Sequence, residues 1–203
     1  MSSTMKTTVL VIVDIQNDFC AGGALAVPDA EAVLPVVNGL MGAFHQVILT
    51  QDWHLPDHVS FVSNHPGQNV FGRVALSSGE QILWPDHCVQ GSVGAAFHSG
   101  LCIPPEAVVL RKGIHRDRDS YSAFFENDRQ TPVGLDALLR EAGAEAIVLA
   151  GLATDFCVLH TAVDARALGY EVTVVESACR GIDIDGSLAD AWSRMAKAGV
   201  HRG

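Results

Sequence analysis

Short apolar runs rich in β-branched residues alternate with helical periodicity along most of this chain. The runs lie at residues 8–13, 46–50, 107–111, 146–150 and 171–175. Between them the apolar spacing becomes that of an amphipathic helix, as at Val33, Val37, Leu40 and Met41. Such alternation is typical of βαβ units, and near-continuous apolarity fits strands that are buried on both sides. The pattern predicts an α/β fold with a doubly wound, mainly parallel sheet and helices on both faces.

A long irregular segment interrupts this alternation between residues 51 and 106, where Gly, Pro, His and Asn are scattered. The chain has 203 residues, of which 48% are hydrophobic. A domain of this size buries roughly 70% of the surface that its unfolded chain exposes. We therefore predict a single domain over residues 1–203 with an insertion at about 51–106. Long insertions in compact domains are usually functional, and a polar loop at residues 115–130 is a candidate lid.

The charge of the chain limits its partners. The formal net charge is −10, and an acidic surface gains no counterion release on nucleic acid or on an anionic membrane. No stretch reaches the roughly 18 consecutive apolar residues of a membrane span, and the N-terminal residues show no small-residue cleavage site. We expect a cytoplasmic protein that binds a small molecule and neither nucleic acid nor membrane. The composition leaves a homo-oligomer open.

Three reactive side chains come directly after apolar runs. Asp14 ends VLVIVD, Lys112 ends AVVLRK and Cys157 ends AIVLAGLATDFC. The carboxyl ends of parallel strands meet at one edge of a sheet, where ligands bind, so we expect these side chains to converge. A carboxylate, an ammonium and a thiol are the parts of a nucleophilic amide hydrolase. In that scheme Asp14, paired with Lys112, takes the thiol proton and later gives it to a leaving amine.

The position of Cys157 distinguishes it from the other cysteines. It lies near the predicted start of a helix, where unpaired N–H groups and the helix dipole lower a thiol pKa from about 8.5. The N–H groups of Ala153 and Cys157 are placed to hold an oxyanion. The chain has five cysteines without C-x-x-C spacing, which argues against a disulfide framework. We expect most of the others to be reduced and buried.

Two other interpretations of these residues stay open. Asp14 and Lys112 can form a purely structural ion pair, although buried pairs seldom improve stability over apolar packing. His160 lies three residues after Cys157 on the same helix face and can pair with the thiol. A helix fixes both side chains next to each other and leaves little freedom for orientation, so we expect His160 to be a packed helix residue.

A second group of candidate ligands begins where the strand near residue 50 ends. Asp52 and His54 are two residues apart and point the same way in an extended segment, and His87 follows in WPDHC. One carboxylate and two imidazoles are typical of a Zn²⁺, Mn²⁺ or Fe²⁺ site with open positions. The D-x-H motif alone is short enough to occur by chance. His58 and His65 are further candidate ligands.

Longer motifs in a fixed order resemble one known family. They are VDIQNDF, TQDWHLPDHVSF, WPDHCVQGSVGA, LRKG, DSYSAF and GLATDFCV. Together they span about residues 9–180 and resemble the nicotinamidase/pyrazinamidase branch of the isochorismatase-like cysteine hydrolases. The resemblance implies the isochorismatase-like hydrolase fold and one divalent metal ion, Zn²⁺ first and Fe²⁺ or Mn²⁺ as alternatives. It also implies a cis peptide bond between Leu152 and Ala153. The last helix is predicted at about residues 187–198; family members often continue into a further strand, whereas this chain stops at Gly203.

The resemblance also implies roles for individual residues. Cys157 would be the nucleophile, Asp14 the proton shuttle, and Lys112 the group that orients Asp14 and favours the thiolate. The implied metal ligands are Asp52, His54 and His87, and the implied ring-binding residues are Phe19, Trp84 and Tyr121. The implied reaction, a step of NAD salvage, deamidates nicotinamide to nicotinate and ammonia through a thioester. Pyrazinamide is an expected second substrate.

Three other functions are compatible with parts of this pattern. They are hydrolysis of another small amide or carbamoyl compound, isochorismatase-like cleavage of a vinyl ether, and a catalytically silent module that senses a pyridine. The metal ligands count against the first two. The intact set of Asp14, Lys112 and Cys157 counts against the third.

Overall fold

A six-stranded parallel sheet forms the centre of the structure, a computed structural model that describes residues 6–76 and 79–203. The eight strands of the described residues are β1 (Thr8–Val13), β2 (Val47–Asp52), β3 (Arg73–Leu76), β4 (Gly79–Ile82), β5 (Val108–Lys112), β6 (Ala146–Leu152), β7 (Glu171–Arg180) and β8 (His201–Arg202). The main sheet has the order β5–β2–β1–β6–β7–β8. β3 and β4 pair antiparallel with each other as a separate ribbon.

Helices follow the strands and pack against the sheet. They are α1 (Leu34–Ala43), α2 (Leu135–Glu141), α3 (Leu159–Ala167) and α4 (Ser187–Lys197). α1 has a proline in its first turn, where the missing N–H costs no hydrogen bond, and it contacts β1 and β7. α3 packs against β7 and α4. None of the helices in the described ranges is long and apolar enough to cross a membrane.

The strand order places a switch point between β1 and β6. From β1 the sheet continues through β2 to β5 on one side, and from β6 through β7 to β8 on the other. In open α/β sheets, ligands bind outside the carboxyl ends of the strands at such a point. Asp14 directly follows β1 and Cys157 follows β6 shortly after its end. The topology therefore positions a carboxylate and a thiol at the expected binding edge.

The predicted fold class is confirmed. β1 coincides with its predicted run, and its residues from Val9 to Val13 are fully buried, as expected for a central parallel strand. β7 is longer than predicted, since it ends at Arg180 rather than at residue 175. Its pairing with β6 shifts register between Leu149 and Gly151. A register shift of this kind lets a strand continue past exposed polar residues, which the apolar pattern does not reveal.

The segment at residues 51–106 is less irregular than predicted. It contains the β3–β4 ribbon and a short 3₁₀ turn at Val62–Asn64. Isolated β-bridges connect distant parts of this segment, one between His54 and Val89 and the other between Phe61 and Trp84. These pairings draw the insertion back over the carboxyl edge of the main sheet. After α4, the strand β8 pairs in parallel with β7, so a short further strand follows the last helix, which the sequence reasoning did not predict.

Candidate active site

The structure brings Asp14, Lys112 and Cys157 together beneath the carboxyl edge of the sheet. Asp14 directly follows β1 with a positive φ of 48°, and Lys112 is the last residue of β5. Cys157 lies in a π-helical turn at Thr154–Val158 that leads into α3. All three are buried, with exposed fractions of 0%, 1% and 7%. The turn is entered through the cis peptide bond between Leu152 and Ala153 that the family resemblance implies.

The Lys112 ammonium is the centre of this arrangement. Its Nζ lies 2.9 Å from Asp14 Oδ2, 3.3 Å from Cys157 Sγ and 3.1 Å from the carbonyl oxygen of Ser120. It also donates a hydrogen bond to Asp52 Oδ1. Lys112 therefore contacts both the thiol of Cys157 and one candidate metal ligand, Asp52. The sequence reasoning did not anticipate the contact with Asp52. One buried cation joins two clusters that are distant in sequence.

The two carboxylate oxygens of Asp14 differ in their hydrogen bonding, since only Oδ1 accepts a hydrogen bond. Thr50 Oγ1 donates a 2.6 Å hydrogen bond to Asp14 Oδ1. Asp14 Oδ2 forms the ion pair with Lys112, but no hydrogen bond aligned with it is found in the described residues. Ligand atoms of Asp14, Asp52 and Cys157 lie within 4.8 Å of one another. A carboxylate oxygen of Asp14 is thus near the thiol, and Oδ2 has no hydrogen-bond donor among the described residues that would block it from accepting a proton.

The predicted lowering of the Cys157 pKa is wrong for this structure. Burial raises the pKa of the thiol well above its usual range, and nearby Asp14 and Asp52 raise it further, while Lys112 opposes them. Burial also raises the pKa of Asp14 against the opposing effect of Lys112. The helix begins where the sequence predicts it, but the effect of burial on the thiol pKa is larger than that of the helix dipole. Cys157 is therefore a neutral thiol that needs a base, and Asp14 is a carboxylate with raised proton affinity.

Asp52, His54 and His87 form a buried cluster whose ligand atoms lie within 4.8 Å of one another. The Nε2 atoms of His54 and His87 lie 3.7 Å and 4.0 Å from the same oxygen, Asp52 Oδ2. Each ring is fixed from behind, since His54 Nδ1 is 2.9 Å from the Gly113 carbonyl oxygen and His87 Nδ1 is 2.8 Å from that of Pro85. Both rings therefore turn Nε2 towards the carboxylate.

This cluster fits a divalent cation. Histidine ligands in metal sites commonly donate their second N–H to a carbonyl group, which fixes the tautomer and the ring orientation. Burial, together with His54, lowers the pKa of His87 to about 4, so its imidazole is neutral. Burial works against protonation of His54, but the Asp52 carboxylate outweighs it and raises the His54 pKa. A cation at this site therefore competes with a proton for His54.

The other candidate histidines are engaged elsewhere. His58 is fully buried next to the cluster, but its Nδ1 is 2.7 Å from Ser60 Oγ and its Nε2 is 3.1 Å from the Arg118 carbonyl oxygen. His65 Nε2 is 2.7 Å from the carbonyl oxygen of Val59. His160 packs against the ring of Tyr121 with 5.4 Å between centroids. Both nitrogens of His58 are thus hydrogen-bonded, although its ligand atom also lies within 4.8 Å of those of His54 and Asp119. His160 is a packed helix residue, as expected.

One small cavity is lined by Cys157, by the three candidate metal ligands and by the side chains assigned to ring binding, whereas Asp14 and Lys112 do not line it. Its lining comprises Phe19, Leu25, Asp52, His54, Trp84, His87, Asp119, Tyr121, Ala153, Phe156, Cys157 and Ile182. We call it the site cavity. The three aromatic residues that the family resemblance implies are all present. The sequence reasoning missed Phe156, Leu25, Asp119 and Ile182, although Phe156 directly precedes the nucleophile in ATDFC.

Gly113 is a further residue that the site requires. Its φ is +64°, and a Cβ atom built on it would lie 2.3 Å from His54 Cε1. We expect Gly113→Ala to displace the His54 ring and to lower the free energy of unfolding by about 1–3 kcal/mol, the usual cost of overpacking. Chemical denaturation measures this loss. Gly67→Ala is the matched control, because Gly67 also has positive φ, +82°, with nothing within 4 Å of the added atom; equal losses would contradict the clash.

The chain is similar in sequence to known proteins over nearly its whole length. The chain matches the family model described as "Isochorismatase domain" over residues 8–202. A nicotinamidase of Acinetobacter baylyi is 47% identical over 193 residues, which are 95% of this chain and 90% of the relative. A nicotinamidase of Escherichia coli is 44% identical and covers 97% of this chain and 94% of the relative. These alignments extend over nearly the whole of each protein.

Solved structures agree with these sequence matches. That of an Acinetobacter baumanii nicotinamidase/pyrazinamidase has a TM-score of 0.95 at 48% identity, covering 98% of this chain and 96% of the other. A pyrazinamidase of Pyrococcus horikoshii, solved in complex with zinc, has a TM-score of 0.81 at 31% identity and covers 97% and 98% of the two chains. The second of these proteins holds a divalent metal ion within the same fold.

Proposed function

The chain belongs to the isochorismatase family, and from this we propose how its residues hydrolyse nicotinamide to nicotinate and ammonia. The activity is that of its full-length relatives. The observation that supports a residue-level mechanism is the contact of Lys112 Nζ with Asp14, Asp52 and Cys157. It connects a thiol, a base and a candidate cation site through one buried ammonium.

We propose that the first half of the reaction forms a thioester. Asp14 Oδ2 accepts the proton of Cys157, and Sγ attacks the carboxamide carbon of nicotinamide. Cys157 lies in the first turn of a helix, where N–H groups lack helical acceptors, and the N–H groups of Ala153 and Cys157 hold the oxyanion. Asp14 then gives its proton to the amide nitrogen, the C–N bond breaks and ammonia leaves.

The second half of the reaction returns the enzyme to its starting state. Asp14 accepts a proton from a water molecule, whose oxygen attacks the thioester carbonyl carbon. The C–S bond breaks, nicotinate leaves, and the Cys157 sulfur regains a proton from Asp14. Lys112 remains charged throughout, because two buried carboxylates outweigh burial and hold its pKa well above the usual range. It orients Asp14 and stabilises the negative charge that develops on the sulfur.

We propose that Asp52, His54 and His87 hold the divalent ion, with Zn²⁺ as the first expectation and Fe²⁺ or Mn²⁺ as alternatives. When bound, the ion supplies a Lewis acid that anchors the pyridine nitrogen. Phe19, Trp84 and Tyr121 line the same cavity and are proposed to hold the flat ring. This anchoring favours a pyridine amide over an acyclic carbamoyl compound. Pyrazinamide, with a second ring nitrogen, is the proposed second substrate.

The first experiment measures ammonia release from nicotinamide by the metal-loaded protein, before and after treatment with a chelator. Release that stops on stripping and returns on adding back Zn²⁺ supports the joint action of the thiol and the metal ligands. Release that survives stripping would leave the thiol mechanism and remove Asp52, His54 and His87 from it. Absence of release in both states would refute the proposed substrate.

The ligand assignment predicts opposite behaviour for two neighbouring histidines. His54→Ala is expected to lose the bound metal and to raise KM for nicotinamide, because the ring nitrogen loses its anchor. His58→Ala is the matched control, since its ring lies 4.3 Å from that of His54 but has both nitrogens hydrogen-bonded. It is expected to keep the metal. Elemental analysis of both proteins decides the question, and metal retained in His54→Ala would remove this residue from the ligand set.

The cytoplasmic location expected from the sequence and the number of subunits stay predictions. Size-exclusion chromatography with light scattering measures the second.

A further inference from the structure

Two cavities of very different size lie on either side of one aromatic wall. The site cavity has a volume of about 20 Å³ that the centre of a water molecule can reach. This is enough space for one or two water molecules. A neighbouring space, which we call the outer cavity, has about 420 Å³. It lies between the β3–β4 ribbon, the loop before α4 and the first turns of α3 and α4. The open volume of the site cavity is smaller than a pyridine amide, so we expect side chains in the wall to move when one binds.

Phe156 and Tyr121 are the only described residues that line both cavities. Their rings are 5.6 Å apart, and Phe156 also meets Trp84 edge-on at 4.8 Å. Phe156 is 9% exposed. The wall between the two spaces is therefore formed by these two rings, and a ligand that crosses from one to the other must displace one of them.

The two rings differ in how firmly they are held. Tyr121 OH accepts hydrogen bonds from Trp84 Nε1 at 3.2 Å and from Gln81 Nε2 at 3.3 Å, and its backbone N–H donates to Asn127 Oδ1. Phe156 has no polar atom in its side chain and is held by apolar packing in the core, including its edge-on contacts with Trp84 and Tyr121. Rotation of Phe156 breaks no hydrogen bond, whereas rotation of Tyr121 breaks two. Phe156 is the more easily displaced part of the wall.

The outer cavity has a lining suited to a small neutral ring. Apolar contacts come from Ile82, Leu159 and Ile184, and the aromatic face comes from Tyr121 and Phe156. Several of its charged groups satisfy one another or the backbone. Arg73 pairs with Glu80, Arg194 lies 3.8 Å from Asp190, and Asp155 accepts hydrogen bonds from the N–H groups of Ile182 and Asp183.

We propose that Phe156 is the gate of the active site, and that nicotinamide passes from the outer cavity to Cys157 when this ring swings aside. The proposal rests on the proposed function, since it assigns the passage that the substrate of that site uses. It makes the outer cavity a first binding place for neutral aromatic amides. It also makes the side chain that directly precedes the nucleophile a determinant of how fast ligands come and go.

Stopped-flow binding of nicotinamide to metal-loaded Cys157→Ala protein tests the gate without turnover. Tryptophan fluorescence reports binding, because Trp84 lines the site cavity and touches Phe156. Adding Phe156→Leu should raise the association and dissociation rates together, each by about tenfold, which lies within the one to three decades that association rates span among variants of one site. Kd should change little. Phe156→Trp should slow both rates.

Two control variants separate the gate from other effects. Phe71 also meets Trp84 edge-on, at 5.9 Å, but lines neither cavity, so Phe71→Ala should change the fluorescence signal and not the rates. Leu25 lines the site cavity but not the outer cavity, and Leu25→Ala tests passage there. Thermal unfolding of each variant confirms that it is folded.

The outcomes distinguish the gate from the function on which it rests. Unchanged association rates in both Phe156 variants would overturn the gate, as would faster rates in Leu25→Ala alone. If a Phe156 variant changes only the dissociation rate, and through it Kd, then Phe156 contacts the bound ligand and does not control its passage. This result would also overturn the gate. Failure of Cys157→Ala to bind nicotinamide at all would overturn the proposed function, and the gate with it.

Discussion

Replacing Cys157 with alanine is expected to reduce nicotinamide hydrolysis by at least about 10⁴-fold, as loss of the nucleophile does in other hydrolases that form a covalent intermediate. The thiol lines the site cavity, and Lys112 Nζ lies 3.3 Å from its sulfur. Alanine keeps the backbone turn and leaves the ring-binding side chains in place, so nicotinamide should still bind. Ammonia release measures the first effect and calorimetric titration the second.

Cys179→Ala is the control for this prediction. Cys179 is also a buried free thiol, but it lies in β7 and lines neither the site cavity nor the outer cavity. Its variant should turn over normally. Persistent hydrolysis in Cys157→Ala would contradict the covalent mechanism. Mass spectrometry of wild-type protein quenched during turnover should detect a nicotinoyl group on Cys157.

Lys112→Met is expected to abolish hydrolysis and also to lower the free energy of unfolding by about 3–5 kcal/mol, the usual cost of removing one partner of a buried ion pair. Methionine fills a similar volume but leaves Asp14 and Asp52 without their shared cation. Their mutual repulsion then favours protonated Asp14, which cannot accept the thiol proton. Chemical denaturation should show the larger loss in metal-free protein, since a cation at Asp52 replaces part of the missing charge.

Two further variants test the cause of this loss. Lys197→Met removes a lysine that is exposed in α4 and should change neither activity nor stability. Lys112→Arg keeps the charge, but a planar guanidinium cannot place one nitrogen among four acceptors as an ammonium does. It should be inactive and less destabilised than Lys112→Met. Full activity in Lys112→Met would reduce the ion pair to a structural role.

The general fold follows from the sequence because its signal is local. Strands buried on both faces require continuous apolar runs, and helices between them require a different period, so VLVIV and its counterparts are readable one segment at a time. The carboxyl end of each run then gives the positions of Asp14, Lys112 and Cys157. The insertion is harder to predict, since it is held by short pairings such as that of Phe61 with Trp84, which have no periodic pattern.

The parts of the site that could not be predicted depend on burial and on contacts between residues that are far apart in sequence. The pKa of Cys157 is set by burial and by two carboxylates from other strands, none of which is visible in the local motif. His58 looks like a ligand in DWHLPDH, and only its contacts with Ser60 and Arg118 show that both nitrogens are engaged. Phe156 carries no motif that distinguishes it from a core residue until the two cavities on either side of it are seen.

The single ammonium of Lys112 has a thermodynamic consequence for how the enzyme responds to its surroundings. Because this cation contacts Asp14, Asp52 and Cys157 together, a charge added at one cluster changes the field at the other. Coupling between two sites is reciprocal. If a cation on Asp52 shifts the protonation equilibrium of Cys157 by some factor, ionisation of the thiol must shift the affinity for that cation by the same factor. The ionisation of the Cys157 sulfur and the affinity for the metal therefore depend on the same coupling free energy.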